Sequence, residues 1–166
     1  LSDIVDYLLY VDKKTGLPNR EKLNIYIGEM AGKVLPEAFT CFTLNLDNLS
    51  ELTKRFGYTV GDGVLKDFAG LVQLMGDTEG MRGYNGIGRF VVFFEECSSK
   101  KAAAMIRILD NQVEEYNSLN PEYPIRYTAA WATTEETDTY EIRELLRLSQ
   151  KKWKQMEKEK EQSSYS

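Results

Sequence analysis

The side chains available for chemistry in this chain are carboxylates and cations, because its 166 residues include no histidine. Histidine general bases, Ser-His-Asp triads and the common zinc sites are therefore excluded. Asn45 and Asp47 are two residues apart in a strand-like run, so their side chains share one face and could together ligate a cation. Asp47 could instead act as an Asx-type cap that turns the strand into the next helix, which is the interpretation we favour.

Two other charged residues have both a functional and a structural interpretation. Thr59 and Asp62 have the spacing of a capping box that would open the helix carrying Val64. Arg89 follows a turn dipeptide and could grip a phosphate, although an ordinary hairpin cation is the simpler interpretation. Asp62 and Arg89 are therefore candidate site residues with structural alternatives.

The composition predicts a single globular domain. Hydrophobic residues make up 42% of the chain and charged residues 28%, which excludes a disordered or fibrous chain. The net charge of -5 argues against non-specific nucleic-acid binding, which depends on clustered cations. The longest apolar runs, such as residues 90–94, are too short to cross a bilayer. Cys41 and Cys97 lie in apolar runs without metal-ligand spacing, which favours a reduced, cytosolic protein.

The hydrophobic pattern defines the elements that must position these side chains. Residues 40–47 alternate between apolar and polar, which predicts a strand. Asn85 and Gly86 predict a hairpin turn before an apolar strand over 89–94, and residues 125–132 predict another strand. Helical spacing predicts helices over the first dozen residues and over 23–30, 49–56, 64–75, 103–116 and 142–153, with a polar end that frays from Lys151. This order predicts an α+β fold with one mostly antiparallel sheet flanked by helices.

The first predicted helix has two interpretations that the sequence leaves open. Its apolar residues form one stripe, which consists of Leu1, Ile4, Val5, Leu8 and Leu9. The stripe could pack on the chain's own domain, or it could belong to an inter-subunit or inter-domain signalling helix.

Four local signatures in this order resemble one family, the GGDEF domains of diguanylate cyclases. Residues 12–20, DKKTGLPNR, resemble the family's motif D-x-L-T-G-L-P-N-R with Lys14 in place of its Leu. Residues 45–47 and 57–62 resemble the family's D-x-D and G-H-x-x-G-D segments. The family's signature is degenerate here and reads Gly86, Ile87, Gly88, Arg89 and Phe90. The resemblance covers residues 12–157 and implies a ferredoxin-like, nucleotidyl-cyclase-like antiparallel sheet.

The resemblance implies that the family's metal-dependent chemistry is lost in this chain. The family condenses two GTP molecules to cyclic di-GMP, with magnesium held by an Asp on the first strand and an acidic residue on the hairpin. The matching residues here are Asn45 and Gly88, and Arg89 replaces the acidic residue that follows. The resemblance therefore implies no catalytic residue, no metal ligand and no cofactor, with magnesium and GTP expected only if a residual site persists. Asp47 and Asp62 are the residual candidates for nucleotide binding.

Other positions that the resemblance identifies have also changed. The family's phosphate-binding Lys and Arg fall on Glu157 and Glu161, which would repel a triphosphate. The product-inhibition motif R-x-x-D falls on Asp77 and Gly80, and the nearby Arg82 is interpreted as a solvated surface charge. Three further substitutions replace the family's guanine-contacting Asn, its Lys after the first strand and its motif His, and they are Thr53, Ser50 and Tyr58.

We therefore expect a catalytically inactive GGDEF-type regulatory or dimerisation domain over residues 12–157, between a linker or signalling helix over 1–11 and a polar tail over 158–166. A start at Leu1, without a Met or signal peptide, indicates a cytoplasmic segment of a longer bacterial protein. The expected partners are an EAL-type phosphodiesterase or sensor domain of that protein, or a second copy, but neither nucleic acid nor membrane. Two alternatives stay open, a GTP-binding sensor without turnover and a cyclase rewired through Glu51 and Glu95.

Overall fold

A four-stranded antiparallel sheet with helices on both faces forms the fold in the computed structural model, which describes residues 2–76 and 79–165. The strands lie in the order β2-β3-β1-β4 and are β1 Thr40–Leu46, β2 Gly80–Tyr84, β3 Arg89–Phe94 and β4 Tyr127–Thr133. The helices are α1 Ser2–Tyr10, α2 Arg20–Met30, α3 Leu49–Phe56, α4 Tyr58–Gln73, α5 Ser99–Leu119, α6 Thr134–Thr137 and α7 Ile142–Tyr165. The predicted α+β class with an antiparallel sheet is confirmed.

The alternation of β1 sends its side chains into two cores. Phe42 and Leu44 are fully buried and pack with residues of α4 and α5, such as Phe68. Cys41 faces the other side of the sheet and packs in a second cluster that includes Leu145 of α7. Because both faces are covered, every residue of β1 is buried except the partly exposed Asn45. The partly exposed position of β1 therefore lies next to the end of the strand.

The register of the sheet places three polar side chains next to each other at that end. Asn45 of β1 is opposite Arg89 of β3 and opposite Thr128 of β4. Directly paired residues project to the same face of a sheet, so these three side chains lie together under α7. The central position of β1 is what brings the ends of β3 and β4 to one site.

The hairpin between β2 and β3 has an unusual backbone at its tip. Gly86, Ile87 and Gly88 have φ angles of 86°, 54° and 77°, a run of left-handed conformations that glycine tolerates and isoleucine disfavours. The amide of Asn85 donates to the carbonyl of Arg89 at 2.7 Å, which closes the turn. The predicted hairpin is confirmed, and its tip differs from a simple two-residue Asn-Gly turn.

The first motif of the sequence holds this hairpin in place. The guanidinium Nη2 of Arg20 donates to the Asn85 carbonyl at 2.6 Å, and Nε donates to the Asn85 side-chain oxygen at 3.2 Å. Asp12 caps the preceding turn, because its Oδ2 accepts from the Thr15 amide at 2.8 Å. Residues 12–20 therefore connect the start of the domain to the hairpin through hydrogen bonds.

Helix boundaries differ from the predicted ones at three places. Helix α4 begins at Tyr58 after Gly57, whose φ is 93°, so Asp62 lies inside the helix and the capping-box interpretation is wrong. Helix α7 continues to Tyr165, so residues from Lys151 onward are helical where we predicted fraying. The short α6 was not predicted. Leu1, Asp77 and Ser166, which carry parts of the predictions above, lie outside the described residues.

Helix α1 leaves its apolar stripe uncovered. Ile4, Val5, Leu8 and Leu9 are each 50% exposed or more, while the opposite side of the helix contacts α2 through Tyr10 and Lys22. The interpretation that the stripe packs on the chain's own domain is therefore wrong for these four residues. None of the described helices combines the length and the apolarity needed to cross a membrane.

Candidate functional site

A pocket of about 470 Å³ opens at the end of the sheet, between the hairpin tip, the end of β1 and helix α3. Asn45 and Asp47 line it from β1 and the turn that follows. It also gathers five positions that the sequence identified separately, namely Ser50, Thr53, Tyr58, Ile87 and Arg89. The fold thus unites residues that are more than forty positions apart in the chain.

Both oxygens of the Asp47 carboxylate are already bonded within the chain. Oδ1 accepts from the side-chain amide of Asn45 at 2.8 Å, and Oδ2 accepts from the hydroxyl of Thr128 at 2.6 Å. The ammonium of Lys160 lies 3.6 Å from Oδ2 and also donates to the Thr128 hydroxyl. The favoured Asx-cap interpretation of Asp47 is wrong, because the residue before α3 is Asn48. The cation beside Asp47 is supplied by the chain itself.

Lys160, like Thr128, contacts Asp47 without having been predicted as a site residue. It lies on α7 and shares a helix face with the buried residues Ser149 and Trp153. The signal that could have found it was this helical spacing, which continues past Lys151 into the segment that we predicted to fray. Lys160 Nζ also donates to the Tyr127 carbonyl at 3.1 Å, so the end of α7 is fastened to β4.

Glu157 occupies the same end of α7 and faces this network rather than the pocket. Burial raises its pKa above the ordinary value of 4.5, and the nearby Asp47 raises it further, whereas the Thr128 hydroxyl and Lys160 oppose the shift. Its Oε1 is buried and has no hydrogen-bond partner among the described residues. Glu161, one turn later, is exposed. Neither glutamate lines the pocket, so neither is placed to repel a phosphate there by direct contact in the way that we predicted.

Arg89 is more constrained than the ordinary hairpin cation that we expected. Its guanidinium carbon lies 4.3 Å from the centroid of the Trp153 ring, in a cation–π contact, and Trp153 is only 8% exposed. The Arg89 side chain is partly buried and lines the pocket. The positive charge is therefore fixed in place at the position where the family's signature carries an acid.

The residues at the family's metal positions do not fit a divalent cation. Gly88 has no side chain, and a Cβ added there would lie 3.1 Å from the carbonyl oxygen of Leu46. Its amide donates to the Tyr84 hydroxyl and its carbonyl accepts from Leu46, each at 2.8 Å, which fixes this backbone. Asn45 is neutral and directs its amide nitrogen to Asp47. Within residues 2–76 and 79–165, no three acidic, Cys or His side chains cluster as a metal site would require.

The remaining candidate carboxylates lie away from the pocket. Asp62 pairs with Lys14 at 3.3 Å, and Lys14 is the residue that departs from the family's first motif. Glu51 is exposed on α3 and does not line the pocket. Glu95 follows the other end of β3, beside Tyr26, so it cannot replace a carboxylate at the hairpin tip. The rewired-cyclase hypothesis therefore loses Glu95 as a ligand.

Arg82, near the expected product-inhibition motif, has a structural role. Its guanidinium donates to the carbonyls of Met75 and Gly80 and stacks on Phe94, 4.8 Å from the ring centroid. Burial lowers its pKa. The interpretation of Arg82 as a solvated surface charge is wrong, since it connects the end of α4 with the start of β2.

Comparison with known proteins assigns the chain to a family. The family model described as "Diguanylate cyclase, GGDEF domain" matches residues 9–163. No curated protein sequence matches the chain. A diguanylate cyclase/phosphodiesterase structure from Caldicellulosiruptor saccharolyticus has a TM-score of 0.73 at 18% identity, covering 93% of this chain and 91% of that one.

Two other solved structures have the same fold. The GGDEF domain of FimX from Pseudomonas aeruginosa has a TM-score of 0.70 at 18% identity and covers 86% of this chain and 90% of that one. The S helix-GGDEF-EAL structure of Vibrio cholerae LapD, bound to c-di-GMP, has a TM-score of 0.64 at 13% identity. That alignment covers 80% of this chain and 30% of the LapD chain.

Proposed function

Because this chain belongs to the GGDEF domain family of diguanylate cyclases, we propose that it is a catalytically silent member that acts as a regulatory or dimerisation module. It would do so in the cytoplasm, within a larger bacterial cyclic di-GMP signalling protein. The observation that carries the proposal is the Lys160–Asp47 pair, since the carboxylate that follows β1 already accepts from Asn45 and Thr128 and has Lys160 as its countercharge.

The electrostatics of the reaction explain why this observation matters. Condensing two GTP molecules requires cations that offset the triphosphate charge and stabilise the leaving pyrophosphate, and magnesium is held by anionic oxygen ligands. Asn45 and Gly88 supply no negative charge, and Asp47 is neutralised inside the protein. Losing such preorganised charge stabilisation costs roughly 3–4 kcal/mol per group, a factor of several hundred in rate.

The uncovered stripe of α1 supports the dimerisation or relay part of the proposal. Four large aliphatic side chains at half exposure or more are costly for a free helix and are suited to a helix partner. The solved LapD structure, in which a GGDEF domain lies between an S helix and an EAL domain, is an example of such a context. An EAL-type or sensor domain of the same protein is therefore the partner that we propose.

The direct test is incubation of the purified chain with GTP and MgCl₂ or MnCl₂, followed by chromatography for cyclic di-GMP. We expect no product, while an active diguanylate cyclase in the same buffer forms it. Product formation that tracks the protein through purification would overturn the proposal.

A second test addresses the relay. Sedimentation of the chain and of the double variant Val5→Glu/Leu8→Glu reports whether the α1 stripe mediates association. We expect self-association of the unaltered chain to be lost in the variant. The matched control is Asp3→Glu/Asp6→Glu, which keeps the charge of the same helix and leaves the stripe intact. Association that persists in the double variant would contradict this role of α1.

A second candidate function is nucleotide sensing without turnover, and the open 470 Å³ pocket is the observation that favours it. The pocket lies beside the start of α3, where the family resemblance places the phosphates. Calorimetric titration with GTP and magnesium tests this candidate. An absence of both heat and thermal shift at millimolar nucleotide would remove it.

A further inference from the structure

The pocket at the end of the sheet carries positive charge that the protein does not neutralise. Arg89 and Lys54 both line it, and neither forms an ion pair with any described residue. Asp47, the one acidic residue among the described residues of its lining, pairs with Lys160, and Glu51 is exposed on α3 outside that lining. The local charge is therefore positive although the chain as a whole carries -5.

Arg89 is held in a geometry that suits an anion. Its stacking on Trp153 restricts the side chain, and its Nε is buried without a hydrogen-bond partner among the described residues. A partly buried guanidinium that lacks an anion pays for lost hydration without recovering it. Its terminal nitrogens form a planar set of donors that matches the oxygens of a phosphate group.

The opposite wall of the pocket contributes neutral donors. Ser50 and Thr53 line it from α3, and the Tyr58 ring flanks it. The Asn48 side chain, which precedes the helix, is occupied by the Pro124 carbonyl and the Arg126 amide and does not cap α3. Asn48 therefore does not satisfy the first-turn amides of α3, whose partial positive charge adds to the attraction that Arg89 and Lys54 exert on an anion and is opposed by Glu51 in the same turn.

From this arrangement we infer that the pocket binds a phosphate-bearing small molecule directly, without a divalent metal, and that Arg89 and Lys54 supply the countercharge. A volume of about 470 Å³ accommodates a di- or triphosphate group with part of a nucleoside. Magnesium is not needed as a bridge, since the site presents cations where the family presents acids. It instead competes with the protein for the phosphate oxygens, so affinity is highest when magnesium is chelated. The inference stands whether or not the domain is catalytically silent.

The test is calorimetric titration of the whole chain with inorganic pyrophosphate, GTP and ATP, each in EDTA and in excess MgCl₂. We expect binding in EDTA that weakens when magnesium or salt is added. Similar affinities for pyrophosphate and the nucleotides would place recognition on the phosphates alone, and tighter binding of GTP than of ATP would add a contact with the base. Both of these outcomes support the inference.

Variants locate the site. Arg89→Gln is expected to weaken pyrophosphate binding by about tenfold or more, because a charge-assisted pair is removed. Arg89→Lys retains the charge without the planar guanidinium, so its affinity for pyrophosphate should lie between those of the unaltered chain and Arg89→Gln. Lys54→Gln removes the second cation, whose exposed side chain does not pack in the core. The matched control is Arg55→Gln, the neighbouring exposed cation on α3, which stacks on Phe56 and does not line the pocket.

Three results would overturn the inference. They are binding that requires magnesium, binding that is equally weakened by Arg55→Gln, and no binding of pyrophosphate at millimolar concentration and low salt. A thermal melt of each variant shows whether a loss of binding merely reflects unfolding. If Arg89→Gln does not fold, weaker pyrophosphate binding by Lys54→Gln locates the site instead. Cyclic di-GMP formed from GTP would overturn the proposed silence and not this inference, so the two failures are distinguishable.

Discussion

Lys160 and Asp47 are 113 positions apart in the sequence, yet the lysine ammonium lies 3.6 Å from the Asp47 Oδ2 atom. This contact fastens the end of α7 to the end of the central strand β1. It also supplies a positive charge at the carboxylate that the family resemblance assigns to nucleotide binding.

Replacing Lys160 by Met should lower the free energy of unfolding by about 1 kcal/mol, because Asp47 would keep its buried position and lose its countercharge. The effect is modest since the lysine side chain is 53% exposed, whereas that of Asp47 is 22% exposed. Urea denaturation measures it. Lys158→Met, an exposed lysine on the same helix, is the control, and equal losses in the two variants would show that the pair contributes nothing.

Restoring the family's acids should not restore a metal site. The double variant Asn45→Asp/Gly88→Glu is expected to be inactive and destabilised by about 1–3 kcal/mol, because residue 88 has a φ of 77° and a Cβ there approaches the Leu46 carbonyl oxygen. Thermal unfolding and the cyclic di-GMP assay measure the two effects. Asn45→Asp alone is the control for the added charge. An active, equally stable double variant would refute this account of Gly88.

Ile87 should be replaceable with a gain in stability. It is a β-branched residue at a φ of 54° and is 92% exposed, so it bears conformational strain without burying apolar surface. Ile87→Asn should raise the free energy of unfolding by about 1 kcal/mol, since asparagine tolerates this conformation. Ile87→Val retains the branch and should be neutral. A destabilised asparagine variant would indicate that the isoleucine has an unrecognised packing role.

Glu157 should make stability depend on pH in a defined direction. Burial raises its pKa in the folded protein, so the folded state prefers the protonated form, and its contribution to stability is lost as the pH rises through that raised pKa. Glu157→Gln should therefore be more stable than the unaltered chain at neutral pH. The difference should disappear below the ordinary pKa of 4.5, where both side chains are neutral. Urea titrations across this range measure it, and a difference that is constant with pH would contradict the shift.

Cys41 should be chemically inert until the protein unfolds. The thiol is fully buried, and burial raises its pKa to about 12, so the reactive thiolate is almost absent at pH 8. Burial also raises the pKa of Cys97. A disulfide-exchange reagent should therefore label neither thiol in the native protein and both in guanidinium chloride. Rapid labelling of the native chain would show that this core opens locally.

Much of the architecture is predictable because it depends on short-range patterns. The alternation in residues 40–47 is sufficient for a strand with two apolar faces, and the Asn85-Gly86 turn before residues 89–94 is sufficient for a hairpin. The helix boundaries depend on weaker local signals, since nothing near Tyr58 or beyond Lys151 is a strong start or stop signal. The absence of acids at residues 45 and 88 needed only the sequence and the family's motifs.

The sequence alone therefore determined the fold class, the elements and the missing carboxylates, whereas the tertiary structure decided which charges meet. The Arg89–Trp153, Lys14–Asp62 and Lys160–Asp47 contacts join residues on separate elements. Local propensity acts over a few neighbouring residues, and it carries no information about the strand order or about which turn of α7 lies over the end of β1. That packing places Arg89 and Lys54, which form no ion pair with any described residue, around one pocket.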